Sequence, residues 1–151
     1  MENLFNITEV ELSYKTKVKP SERIKVTKSD EVVKVFKSIY DLNKIELQEM
    51  FYVMLLNNAN KVLGVAHIST GGTTACIVDM KTIFSIAVKA DACGIVLCHN
   101  HPSGNVTPSN NDKQLTQKAK EAGKVLDITV LDHVIICGEE NYFSFADEGI
   151  M

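Results

Sequence analysis

The hydrophobic positions of this chain fall into short runs whose spacing switches between two and three-to-four residues, with polar breaks between them. From Glu9 to Val18 apolar and polar residues alternate over most of the length, which predicts a half-buried strand. Ser29-Asp30-Glu31 then reads as the cap of a helix that carries Val32, Val33, Phe36, Ile39 and Tyr40 on one face and ends near Asn43. The unbroken run Met50 to Leu56 predicts a buried central strand, and Asn57-Asn58-Ala59-Asn60 the turn into a second strand from Lys61 to Ser69. Gly71-Gly72 breaks the chain, after which Asp79 caps a helix with Ile83, Phe84, Ala87 and Val88 inward. Gly94 to Cys98 is a short apolar strand. A third helix is predicted from about Asn110 to Ala122, with Leu115, Ala119 and Ala122 on one side and Gly123 near its end. Strands near Ile128 to Cys137 and Tyr142 to Phe145, joined at Gly138-Glu139-Glu140-Asn141, close the chain. Hairpins at both ends with a helix-connected crossover between them predict an α/β sandwich around one mixed sheet.

Composition narrows the picture little. At 151 residues the chain is expected to be a single domain with a sizeable core. A net charge of -3 gives no global attraction to nucleic acid, so any such contact would need a local patch. One candidate patch exists: Lys15, Lys17, Lys19, Arg23, Lys25 and Lys28 face the single acid Glu22, and they read either as a phosphate-contacting arm or, preferably, as lysines that protect an edge strand from pairing. Cys76, Cys93, Cys98 and Cys137 form no Cys-x-x-Cys pair and are expected to be reduced and mostly buried. Residues 1–6 carry no basic leader, and the longest apolar run, Met50 to Leu56, is too short to span a bilayer, so a cytoplasmic protein without membrane contact is expected.

The chemistry concentrates in His99-Asn100-His101-Pro102-Ser103-Gly104, followed by Pro108-Ser109 and Asp112. Imidazoles at i and i+2 point the same way only on extended backbone, so His99 and His101 can reach one ion from a strand end. Asp112 can complete a set of three. Two imidazoles and a carboxylate suit Zn²⁺ and leave the fourth tetrahedral position open, the layout of a catalytic rather than a structural zinc. Cys98 should point to the opposite side of the strand. Ser109 and Asp112 also have the spacing of a capping box, so both could serve only to start the third helix. His67 and His133, alone on their strands, are read as hydrogen-bonded structural residues outside the site.

This constellation resembles the metal-binding signature of the JAB/MPN (JAMM) zinc metalloproteases, and His-Asn-His-Pro-Ser-Gly is the form found in the bacterial DNA repair protein RadC branch. Ile45-Glu46-Leu47-Gln48-Glu49 and Val130-Leu131-Asp132-His133 are similar to RadC-like chains as well. Asn100 stands where eukaryotic members carry Ser or Thr, and Asp79-Met80-Lys81-Thr82 departs from the start of the corresponding RadC helix. The resemblance implies a JAMM (cytidine-deaminase-like) three-layer sandwich, with residues 1–30 as an N-terminal strand or extension and 31–151 as the metalloprotease domain. It further implies one Zn²⁺ per chain held by His99, His101 and Asp112, and hydrolysis of peptide or isopeptide bonds in an unidentified protein or peptide substrate. Ser109 becomes the hydroxyl beside the substrate oxygen, and an upstream glutamate the general base, with Glu49 preferred over Glu46.

The second reading is a DNA-associated module with a zinc site and little proteolysis, since RadC-like proteins carry a DNA-repair name. Their helix-hairpin-helix region finds no room in this length, and the acidic balance disfavours non-specific binding. A nuclease of the His-Asn-His type spreads those letters over a longer ββα element. A zinc deaminase needs a Pro-Cys-x-x-Cys that does not follow.

Overall fold

A computed structural model describes residues 8, 10, 11, 13, 15–72 and 76–151. Five strands form one mixed sheet in the order β2-β1-β3-β4-β5, where β1 is Met50–Leu56, β2 Val62–Thr70, β3 Gly94–Asn100, β4 Thr129–Ile136 and β5 Tyr142–Ser144. β1 pairs antiparallel with both β2 and β3, β3 and β4 run parallel, and β5 returns antiparallel on β4. Helix α1 (Ser29–Ile39) covers one face, while α2 (Met80–Lys89) and α3 (Asn110–Val125) cover the other. This is the expected α/β three-layer sandwich with one mixed sheet.

Burial follows from that layering. β3 lies in the middle of the sheet with helices on both sides, and all seven of its residues are buried, so it reads as a continuous apolar run rather than an alternating one. Period two still sorts its side chains: Val96 and Cys98 enter the core under α1, and Ile95 and Leu97 the core under α2 and α3. Cys98 accordingly points away from the histidine face. All four cysteines are free; Cys98 and Cys137 are buried, but Cys93 is exposed at the turn before β3.

Local chemistry sets the element ends. The hairpin turn before β2 is held by Asn57, whose Oδ1 accepts from the N–H groups of Ala59 and Lys61, both at 3.0 Å, while Asn60 takes the left-handed conformation at φ 57°. Asp79 caps α2 by accepting from the amides of Lys81 and Thr82. At α1 the cap is Glu31, which reaches back to the amides of Thr27 and Lys28 at 2.7 and 3.2 Å; Ser29 is already inside the helix.

Several expectations need correction. The strand over Glu9 to Val18 is not formed in its described residues: Val10 is 89% exposed, and Ser13 and 15–18 are irregular, while Glu9, Leu12 and Tyr14 lie outside the described residues, as does the leader region 1–6. Alternation supplies a strand only where a sheet edge is available. Here the start of β2 is paired instead by 24–26, through Val26 N–H to Asn60 O at 3.0 Å and Val62 N–H to Ile24 O at 2.8 Å. Helix α1 stops at Ile39, which is 42% exposed, because Tyr40 takes the core position and caps the helix in an extended conformation. Val88 is 47% exposed, lying beyond the Ile83–Phe84–Ala87 stripe. Helix α3 runs on past Ala122 to Val125, with Gly123 near its end as expected, and the left-handed residue after the helix is Asp127.

Gly123 is required by a close approach. A Cβ at this position would come 2.3 Å from the carbonyl oxygen of Ile128, where the chain folds back from α3 into β4. Alanine is favoured over glycine in a helix by about 1 kcal/mol, whereas overpacking against backbone that cannot rotate away costs about 1–3 kcal/mol. At 2.3 Å the clash falls in the upper part of that range, so Gly123→Ala is expected to lower unfolding stability by a net of about 1–2 kcal/mol in urea titration. An unchanged or raised midpoint would contradict this contact.

Candidate metal centre

The end of β3 places chemistry on both faces of the sheet. His99 continues the face of Ile95 and Leu97, under α3, and is buried; Asn100 takes the opposite face. His101 follows the strand, held in line by its N–H bond to Ile136 O at 2.9 Å. The chain then turns sharply, with Gly104 N–H bonded to His101 O at 3.1 Å and Gly104 at φ 82°, which only glycine adopts freely. That turn brings the carbonyl of Asn105 to 2.6 Å from His101 Nδ1. A carbonyl can only accept, so Nδ1 carries the proton and, in the neutral ring, Nε2 presents a lone pair.

Asp112 reaches the same point from the first turn of α3. Its Oδ2 accepts from the N–H and hydroxyl of Ser109 at 2.7 and 2.8 Å, and Ser109 Oγ accepts from the Asp112 amide at 3.1 Å. The capping box is real, and it leaves Oδ1 facing His99 Nε2 at 3.2 Å, with Oδ2 3.5 Å from His101 Nε2. The two Nε2 atoms are 3.0 Å apart. Among the described residues these three side chains form the group whose ligand atoms all lie within 4.8 Å of one another. Donors around one tetrahedral zinc, with bonds near 2.0–2.1 Å, sit roughly 3.3 Å apart. The spacing and the donor set fit the ion.

The electrostatics agree with a cation position. Burial pushes the Asp112 carboxyl up, but the facing His101 and His99 imidazoles, which bond it when their rings are protonated, outweigh burial and hold the group well below the usual carboxylate range. Asp112, which bonds the protonated ring, raises the His101 imidazole, against a smaller opposing effect of burial.

Glu49 stands immediately before β1 and lines, with His99, Asp112, Phe51, Cys76 and Lys118, a cleft of about 300 Å³. Burial raises its carboxyl, partly opposed by the nearby His99 and His101. Glu46 is elsewhere: it is exposed and lies against Gly138, where an added Cβ would meet its Oε1 at 2.7 Å. His67 is on edge strand β2, bonded to Thr70 Oγ1 at 2.7 Å and apart from the cluster. His133, expected outside the site, is no member of the three-residue cluster, but it touches it directly, with Nε2 2.8 Å from His99 Nδ1.

Asn100 has a function that its sequence position did not reveal. Its Oδ1 accepts from the amide of Met50 at 2.7 Å, and its Nδ2 donates to the carbonyls of Ile45 and Gln48 at 2.7 and 2.9 Å. The residue between the two histidines thus clamps the segment that carries Glu49. Only a side chain with both a donor and an acceptor at one end can satisfy all of these backbone groups.

Comparison with known proteins now decides the family. The profile of the RadC-like JAB domain matches residues 26–150. The chain belongs to the RadC-like JAB domain family. A UPF0758 protein of Flavobacterium johnsoniae is 51% identical over 102 residues, 68% of this chain and 44% of that protein. A UPF0758 protein of Clostridium perfringens is 36% identical over 141 residues, 93% of this chain and 60% of that protein. One from Porphyromonas gingivalis is 43% identical over 104 residues, 69% of this chain and 46% of the relative. The chain spans about half the length of the curated relatives it matches. Among the described residues of this RadC-like domain, no helix is long and apolar enough to cross a membrane.

The clamp generates a prediction. Asn100→Ala strands a buried amide and two carbonyls, and each orphaned group costs about 1–3 kcal/mol. With three such groups the variant is expected to lose at least about 3 kcal/mol of stability, with faster hydrogen exchange at the Met50 amide. Wild-type protection at Met50 would show that the clamp does not hold the segment.

Proposed function

We propose that this RadC-like domain is a zinc-dependent hydrolase of peptide or isopeptide bonds. The observation that carries the reading is the convergence of His99 Nε2, His101 Nε2 and Asp112 within one coordination radius, at a cleft that also contains Glu49. His99, His101 and Asp112 would hold the ion, one per chain. A zinc held there would supply Lewis acidity toward a carbonyl oxygen and would lower the pKa of a water.

The residues of the chain supply the rest. Glu49, a partly buried carboxylate whose affinity for a proton is raised, takes a proton from the attacking water and delivers it to the leaving amine. Ser109 holds the Asp112 carboxylate through Oδ2, and its hydroxyl donates to the developing oxyanion when it swings away from Asp112. The apolar wall of Phe51, stacked on His99 with ring centroids 5.9 Å apart, lowers the local dielectric and strengthens each of these interactions.

Metal analysis of the purified chain, with peptide, isopeptide and DNA substrates in the presence and absence of chelator, tests the proposal. Chelator-sensitive amide cleavage is expected. Salt-sensitive DNA retention without cleavage would move the reading to a DNA-associated module. His101→Ala should reduce zinc from near one per chain to a small fraction, since two protein ligands hold the ion poorly, and His67→Ala should leave it unchanged.

Glu49→Gln separates proton transfer from metal binding. It should retain zinc and fold while activity falls about 10²–10⁴-fold, the usual contribution of a general acid-base group. Glu46→Gln should be nearly silent. Wild-type rates for Glu49→Gln would remove that residue from the chemistry.

A further inference from the structure

The proposed chemistry leaves unused a histidine buried directly behind the metal ligands. His133 on β4 is fully buried, stacked on Phe145 with centroids 4.8 Å apart and met edge-on by Phe51 at 5.8 Å. Packing alone would be served equally well by a phenylalanine. Yet both ring nitrogens are engaged: Nε2 lies 2.8 Å from His99 Nδ1, and Nδ1 lies 2.7 Å from Thr116 Oγ1.

The direction of each bond in this chain follows from one group that can only accept. Thr116 Oγ1 is 2.6 Å from the backbone carbonyl of Asp112, one turn earlier on α3, and its single hydroxyl proton goes there. Oγ1 must therefore accept from His133, which places the His133 proton on Nδ1. A neutral imidazole has one N–H, so His133 Nε2 is a lone pair and His99 Nδ1 donates to it. His99 Nε2 is then also a lone pair, and it is the atom aimed at His101 and Asp112.

We infer that His133, oriented by the Thr116 hydroxyl, is a positioning residue that locks His99 in the tautomer able to ligate through Nε2 and thereby sets the metal affinity of the centre. The inference rests on the metal site proposed above. It gives a role to a helix residue and a strand residue that touch no substrate. The chain of bonds runs from the helix that bears Asp112, through β4, to the strand that bears His99, so one ligand's element fixes the other ligand's protonation and ring plane. Metal-bound histidines generally need such a partner on the second nitrogen, and its loss weakens affinity about 10–100-fold.

The test uses Thr116→Val, which removes the hydroxyl and keeps the shape, Thr116→Ser, which keeps the hydroxyl, and His133→Phe, which keeps the packing. Zinc affinity is measured by competition with a chromogenic chelator, and histidine tautomers by long-range ¹⁵N–¹H NMR of the metal-free chain at neutral pH. Wild type and Thr116→Ser should show Nδ1–H on both His99 and His133, with affinities within about threefold of each other. Thr116→Val and His133→Phe should bind zinc about tenfold or more weakly while still unfolding cooperatively, with midpoints lowered only as far as one orphaned buried group requires. Thr116→Val alone decides the matter if His133→Phe fails to fold. Wild-type affinity in Thr116→Val, or Nε2–H on His133 in the wild type, would overturn the inference. A wild-type chain that binds no zinc sinks the hydrolase reading and the affinity claim built on it, and the tautomer spectrum then reports separately whether the lock exists.

Discussion

Two imidazole lone pairs 3.0 Å apart, with a carboxylate oxygen 3.2 Å from one of them, repel one another unless a proton or a metal cation sits between them. The fold holds this arrangement from several directions at once. The turn at Gly104 delivers the Asn105 carbonyl to His101, the capping box of α3 fixes Asp112, and the buried His133 meets His99 from behind. Each device is an ordinary structural bond on its own. Together they leave three electron-rich atoms converging on one point that a cation would stabilise, an arrangement suited to the proposed metal site.

The alternation of a strand lets one short stretch of sequence organise two faces. His99 faces α3 and the proposed metal position, while Asn100 turns through the sheet to clamp the backbone at Ile45, Gln48 and Met50. The parallel pairing of β3 with β4 and the antiparallel pairing with β1 bury this strand on both edges as well as both faces. A substitution at the end of β3 thus affects the candidate ligand His99 and the segment that carries Glu49 together. Asp132, beside His133, extends the same logic: it accepts from Ser144 Oγ at 2.6 Å and the Ala146 amide at 2.9 Å, fixing the end of β5 that seats Phe145 against His133.

What could be read from the chain beforehand was whatever is encoded locally. The long apolar or periodic segments became β1, β3, α2 and α3 because each had a face to bury, and the spacing of His99 and His101 is meaningful from strand geometry alone. The choice between capping and ligation at Asp112 could not be resolved from spacing, because one carboxylate both completes the capping box and faces the two histidines. The contact of His133 with His99 was hidden for a related reason: the alignment of His133 with Leu97, two residues before His99, depends on the β3–β4 register, including a shift between Ile95 and Val96. Thr116 gave no signal beyond helical spacing. The alternating segment before residue 19 misled, since alternation says nothing about whether a sheet edge is open to it.

The most direct measurement of the central claim is X-ray absorption at the zinc edge of the purified chain, with the metal quantified in the same sample. The account predicts one zinc per chain, with nitrogen and oxygen neighbours near 2.0–2.1 Å, imidazole scattering, and no sulfur, since the buried Cys98 faces the other side of the sheet. A chain that retains no zinc, or one whose zinc shows sulfur near 2.3 Å, would contradict it.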